Sequence, residues 1–447
     1  MSFFSRRSKR RASTEIREED FLHFEEVPEE SGQEPERPIS ALERGKLVRL
    51  ERIRKKRRAR RIRVTVVCTV LMAGILVYFT GLYGASLALL GDTVDSIRIA
   101  LTPGPGFPVQ ASISGYMESQ PLAGGFAAVG EQDMVIYSAS GNKVRSLQHG
   151  FANPCIVAGN TRVCIYDRSG TQLKVENRSQ TLYETKFDQP IFLCAMSPNG
   201  TLAVFIEGGL KAYDPMFNKI LEFNTDDLPT AMAFSSDNKH FAVACPKAQN
   251  GALGSVVYLL STDMEDYSQA VTVQVSDGIP LKVEYLDLQN VLVVYDRFAA
   301  IYGVTDGTEK ARYDFGAEQL QSAAVSGKST ALLFGDGEHT ELTRFVVLDM
   351  NLTVVGQSNV PVRANSVAAS RSGVYVLTNT AVYCYGLDGS AGAVVEPGAK
   401  PLAVIEADHL LLLTQEQILD LEAPQEEPVE SAASSSSQAD SQSVSAA

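Results

Sequence analysis

Five histidines are the first candidates for metal binding or acid–base chemistry: His23, His149, His240, His339 and His409. None stands at metal-ligand spacing from another. Two tetrads, Ser140–Lys143 and Ser236–Lys239, match the Ser-x-x-Lys spacing of a serine nucleophile with a lysine base. Both fall in turn sequences, SGNK and SDNK, where Ser, Asn and Gly serve the backbone, so the spacing is read as chance. The acid runs Asp226-Asp227 and Asp263-Glu265-Asp266 fall in polar connections and read as solvated. There is no Gly-x-Ser-x-Gly, no phosphate-binding loop and no calcium loop, and PGPGFP (103–108) has no helix after it. The expectation is no catalytic residue, no metal ligand, no cofactor and no enzymatic activity.

Six cysteines are present: Cys68, Cys155, Cys164, Cys194, Cys245 and Cys384. Without a Cys-x-x-Cys they give neither a zinc site nor a disulfide framework, and most read as small buried apolar residues. CIVAGNTRVC, from Cys155 to Cys164, reads as a hairpin turning on Gly159-Asn160. That register sets Cys155 opposite Cys164 with Cα atoms about 4.5 Å apart. The distance is near the short limit for a disulfide, about 4.4 Å. Two buried thiols side by side are the favoured outcome and a bond the alternative.

Charge is divided sharply along the chain. Residues 1–63 carry 19 Lys+Arg against 12 Asp+Glu, whereas residues 91–447 carry 21 against 41. Between them Val64 to Gly91 holds no charge. The run exceeds the ~20 residues that cross a bilayer. Arg44–Arg63 has twelve basic residues and one acid, so the N-terminus is expected to be cytoplasmic and the large domain outside. The expected order is a disordered cytoplasmic segment (1–43), a basic juxtamembrane helix (44–63) and one transmembrane helix (64–90). A stalk (91–107), an extracytoplasmic domain (108–422) and a disordered tail (423–447) follow. The acidic outer part excludes nucleic acid as its partner.

The outer domain must be all β. Short apolar runs alternate with Gly, Asn, Asp and Ser, and no long helical period appears. A strand–turn–strand unit recurs, anchored at Tyr137, Tyr166, Tyr213, Tyr258, Tyr302, Leu348 and Tyr385, with 29 to 47 residues between neighbours. A degenerate copy, QILDLE, begins at Gln417. Further hairpins such as SPNG (197–200) and SSDN (235–238) interleave with these. Two hairpins in about 40 residues make a β-propeller blade. Eight blades are favoured and seven remain open. PVQASISG, Pro108 to Gly115, is expected to supply the outer strand of the last blade. Ring closure would also bring distant carboxylates together at the axis, which spacing alone does not reveal.

The segments SPNGTLAV (197–204) and YDRSG (166–170) resemble the turns of WD40-like and quinoprotein-like propellers. From about Arg44 to Leu421, the basic N-terminus, the apolar run, GFPVQASISG (106–115) and the repeat resemble an uncharacterised bacterial family of membrane-anchored propellers. The resemblance implies fold and topology and no activity. The chain has no Trp, which removes the Trp-Asp dipeptide of WD40 blades and the tryptophan docking motifs of quinoprotein dehydrogenases. The expected function is a membrane-anchored extracytoplasmic binding scaffold of the bacterial cell envelope. Its partners would be membrane lipid at the span and an envelope protein or glycan at the propeller. A transmembrane sensor acting through residues 1–63 is the alternative, and an envelope enzyme a weaker one.

Overall fold

The computed structural model describes residues 102–421, apart from 250, 265–267, 269 and 336–342. The cytoplasmic segment, basic helix, membrane span, most of the stalk and the tail expected from sequence lie outside these residues. Thirty-two strands, β1–β32 in chain order, form eight four-stranded antiparallel sheets. Each sheet is one blade, with strands A to D running from the axis outwards. Blades 1–7 span residues 116–148, 154–186, 191–224, 231–275, 280–314, 319–360 and 366–395, and blade 8 begins at 401.

The core shows why the ring has eight members. One apolar cluster fills each contact between neighbouring blades, from blades 1 and 2 round to blades 8 and 1. A strand between two such clusters is buried on both faces. β3 (Gly125–Gly130), β11 (Leu202–Ile206) and β20 (Phe298–Gly303) are buried at every residue. The outer strand β21 (Glu309–Asp314) alternates with solvent. No blade covers its own faces, so the cores exist only when the circle closes.

Closure is made where the sequence placed it, by a shorter strand. β1 (Val109–Gln110) pairs with β32 (Gln417–Asp420), Val109 opposite Ile418 and Gln110 opposite Gln417. QILDLE thus supplies the C strand of blade 8, and the N-terminal segment supplies its D strand. Beyond β1, Ala111 N–H donates to Glu416 O at 2.8 Å. Ser112 N–H donates to Tyr137 Oη at 2.9 Å. Phe107, Ala111 and Ile113 pack on the core between blades 8 and 1.

The repeat anchors need two corrections. Tyr137, Tyr213, Tyr302, Leu348 and Tyr385 each stand on a C strand where its pairing with the D strand shifts by a bulge. Tyr166 lies instead on β7 (Val163–Asp167), the B strand of blade 2. The equivalent residue there is Glu176, at the bulge that ends β8 (Gln172–Glu176). Tyr258 sits in regular pairing with Thr272 rather than at a bulge. Glu176 is fully buried and accepts hydrogen bonds from Arg145 of blade 1 at 2.5 Å and from Thr181 at 2.8 Å.

The Cys155 hairpin turns one residue later than its Gly-Asn pair suggests. β6 (Pro154–Ala158) pairs with β7 so that Ala158 faces Val163 and Cys155 faces Tyr166. Cys155 and Cys164 are therefore not partners, and all five described cysteines are free thiols. Neighbouring blades decide the register. Asn160 O accepts from Ala123 N–H of blade 1, and Asn160 N–H donates to Pro198 O of blade 3. Arg162 is buried, and its Nη1 donates to Pro215 O at 2.5 Å.

Candidate interaction surface

The residues with chemical potential are dispersed. His149 is buried in the loop before blade 2, where its Nε2 lies 3.1 Å from Gly130 O and its Nδ1 accepts from Phe151 N–H. His240 opens β15 (His240–Gln249), with Nδ1 2.5 Å from Asp237 Oδ2. His409 lies in the A–B turn of blade 8, and His23 and His339 are outside the described residues. Ser140 lies in the C–D turn of blade 1, where its Oγ is 3.0 Å from Ser138 Oγ. Ser236 lies in the A–B turn of blade 4, and Lys239 of that tetrad bonds Asp263 at 2.6 Å. Asp227 is not simply solvated: it accepts from Lys247 at 3.0 Å and from Tyr258 Oη at 2.5 Å. Among the described residues no group of three or more His, Cys, Asp or Glu is arranged to hold a metal.

The A strands surround the axis. Their acidic and basic residues are Glu118 on β2 (Tyr116–Leu122), Lys282 and Glu284 on β18 (Pro280–Tyr285), and Glu406 at the end of β30 (Pro401–Glu406). Glu118 and Glu284 stand on blades 1 and 5, on opposite sides of the ring. Burial raises the pKa of each carboxyl. Glu118 accepts hydrogen bonds from Gln120 and from Ile156 N–H, and Glu406 accepts from Ser326 Oγ at 2.6 Å. The axis thus holds carboxylates on blades 1, 5 and 8, of which Glu118 and Glu406 are hydrogen-bonded to their own neighbours, and no cluster of three converges among the described residues.

The two faces of the ring differ in what they carry. The A–B and C–D turns form one face, and both ends of the described chain leave from it. Gly106 N–H donates to Ser140 O in the C–D turn of blade 1, and Leu421 N–H to Leu410 O beside the A–B turn of blade 8. Aspartates on this face cap their own turns. Asp306 accepts from Thr308, Asp349 from Asn351 and Thr353, and Asp388 from Ser390. These bonds hold all three carboxyls below the ordinary aspartate range: the Thr308 amide for Asp306, the Thr353 amide for Asp349 and the Ser390 hydroxyl for Asp388. A depressed folded-state pKa adds stability that is present above the ordinary value, about 4, and is lost as pH falls through it. The raised Glu118 and Glu284 act in the opposite sense and soften this loss. Melting temperature is expected to drop below about pH 4, and the Asp306→Asn/Asp349→Asn/Asp388→Asn variant to show a shallower drop. An identical acid slope in both proteins would show that these caps do not set it.

The opposite face carries the D–A and B–C connections, and neither end of the described residues leaves from it. Its most prominent feature is the B–C hairpin of blade 4. β15 and β16 (Ala252–Ser261) are ten residues each, the longest strands among the described residues. Pairing with the A strand stops at Ala244 and with the D strand at Ser255. The hairpin therefore projects from the sheet. Leu228, Leu253 and Leu281, each about half exposed, lie on this face in blades 3 to 5. Sequence patterning missed them because single exposed leucines, one on a connection and two near strand ends, have no period.

Eight four-stranded antiparallel sheets in a closed ring define a β-propeller. Solved structures agree at the level of fold. Sqt1 of Saccharomyces cerevisiae is 10% identical, with 72% of this chain and 100% of that one covered and a TM-score of 0.54. The C-terminal WD40 domain of Sif2 is 12% identical, with 71% and 99% covered and a TM-score of 0.53. BamB of Moraxella catarrhalis is 11% identical over 70% and 100%, with a TM-score of 0.49. No curated protein sequence matches the chain. The chain belongs to the family of unknown function DUF5711, whose model matches residues 108–419.

Proposed function

We propose that this protein is a binding scaffold of the bacterial cell envelope, anchored by the span 64–90, with its propeller outside the cytoplasm. The D–A and B–C face is its binding surface. One observation carries this reading: both ends of the described chain leave from the opposite face, so the face with the projecting hairpin is clear of them. The charge reversal across Val64–Gly91 supports the topology. The dispersed axial carboxylates support binding over catalysis. Propellers present loop surfaces to partners, and the fold by itself does not name the partner.

The test uses the full chain in cells. A photo-crosslinking residue at Thr380, in the B–C turn of blade 7, is compared with one at Asp388 on the other face. An impermeant biotin reagent reports which lysines are outside. The expected result is biotin on propeller lysines, none on Lys46, Lys55 or Lys56, and a discrete adduct from Thr380 alone. A propeller shielded from the reagent would overturn the topology, and adducts from Asp388 alone would overturn the choice of face.

A further inference from the structure

We propose that Leu228, Leu253 and Leu281 form one docking patch, and that its occupant is a partner-protein segment with apolar side chains flanked by lysine or arginine. This rests on the binding-scaffold reading above and gives the partner a chemistry.

Leu228 lies on the connection between blades 3 and 4, Leu253 on β16 and Leu281 on β18, and hydrogen bonds tie these three segments into one unit. Leu228 follows Asp227, which holds Lys247 and Tyr258 of the hairpin. Two residues after Leu228, Thr230 Oγ1 donates to Pro280 O at 2.6 Å, immediately before Leu281. Leu253 pairs with Ala248, and the next pair is Gly254 with Lys247. Gly254 fixes the base of the hairpin against blade 4's outer strand: a Cβ there would lie 2.3 Å from Val275 O. The leucines are exposed by 53%, 52% and 49%, so each retains apolar surface to lose on binding. Grouped exposed leucines on a monomer mark an interaction site more often than scattered ones do.

The rim selects the occupant. Glu207, Asp226 and Asp277 are exposed on the connections of the same blades, and the exposed base beside Leu281, Arg297, lies 3.8 Å from Asp296 of its own turn. Lys247 is engaged by Asp227, and Asp277 lies 3.6 Å from Arg312. An apolar centre with an acidic rim favours cationic flanks and steers them by long-range attraction. The same charge disfavours other occupants. The sequence beyond Leu421 carries five acids and no Lys or Arg. A second copy docking through the same patch would set acidic rim against acidic rim.

Backbone chemistry decides how the segment binds. Past Ala244 the edge of β15 has no A-strand partner, which would invite an added strand. Ala244 O points to that edge, where it accepts from Thr230 N–H. Alternation sends residue 246 to the same edge, and residue 246 is Pro, which has no N–H. Lys247 follows it. Proline and lysine are the residues that blunt sheet edges. The segment therefore docks through side chains on the leucines, not by extending the sheet.

The experiment uses the full chain in nanodiscs of zwitterionic lipid, with empty nanodiscs subtracted. The probes are a synthetic amphipathic leucine–lysine peptide, its leucine–glutamate counterpart, its serine–lysine counterpart and a peptide of residues 44–63. The leucine–lysine peptide should bind and the first two counterparts should not. Leu228→Ser/Leu253→Ser/Leu281→Ser should weaken it at least about tenfold without lowering the melting temperature. Asp226→Asn/Asp277→Asn should weaken it less and reduce its salt dependence. Met216→Ser/Leu288→Ser, on the other face, should leave it unchanged. Undiminished binding by the triple serine variant overturns the proposal, as does preference for the glutamate peptide. Tighter binding of the 44–63 peptide would make this chain the occupant instead. A dimer in sedimentation that the triple variant abolishes would assign the patch to self-association. Crosslinking from Thr380 with normal peptide binding by the triple variant would sink the patch and spare the scaffold reading.

Discussion

Deleting residues 108–115 is expected to turn a cooperatively melting domain into one that aggregates. The deletion removes β1, its ladder to β32, and the hydrogen bonds Ala111 to Glu416 and Ser112 to Tyr137. It also strips Ala111 and Ile113 from the core between blades 8 and 1. Each lost backbone bond costs about 1 kcal/mol, and the half-buried Ala111 and Ile113 together add about 1 kcal/mol. The total reaches about 5 kcal/mol, comparable with the whole stability of an ordinary domain. The loss is also not local. An open ring exposes the edge of β32 to strand pairing between molecules. Calorimetry with light scattering checks this. An unchanged, reversible melt would mean that blade 8 closes the ring with its C-terminal strands alone.

Replacing Glu176 with Ala is expected to cost about 3 kcal/mol, because it empties a fully buried site and removes the carboxylate partner of the half-buried Arg145 guanidinium. Arg145 keeps only Ser179 O and Thr181 Oγ1, at 2.9 and 3.1 Å. Five other blades place Tyr or Leu where Glu176 stands, so the position itself accepts an apolar side chain. Arg145→Met/Glu176→Leu should accordingly regain most of the loss. Urea unfolding of the two single variants and the double variant measures the coupling. A cost below about 1 kcal/mol for Glu176→Ala, or a double variant no better than the singles, would show that the pair is not the tie between blades 1 and 2.

Much of the fold was legible in the chain because its signals are local. Alternating apolar runs, SPNG-type turns and Tyr or Leu at the C-strand bulges needed no distant information. The spare strand at Pro108 was readable because a repeat that ends one strand short must find that strand elsewhere. The repeat count favoured eight blades, and the ring has eight, but local pattern alone left seven open. Blade number depends on how much each inter-blade core rotates the next sheet, and only the eighth core, between blades 8 and 1, closed the count. Tyr166 was misplaced because YDRSG carries the local signal of a C–D hairpin while its strand pairs as a B strand. The uneven 29- and 47-residue spacings around it were the one warning. The turn of the Cys155 hairpin was decided by Ala123 and Pro198, which belong to other blades. The leucines of the proposed patch were equally invisible: Leu228, Leu253 and Leu281 come from separate segments, and only packing of blades 3 to 5 brings those segments together. Sequence alone determined the all-β repeat, the charge reversal and the uncharged run at Val64–Gly91, since strand alternation, turn chemistry and hydropathy are properties of neighbours along the chain. Tertiary structure decided the closure number, the cysteine register, the Arg145–Glu176 pair and the face from which the described chain ends leave, since each depends on contacts between residues that only a closed ring places side by side.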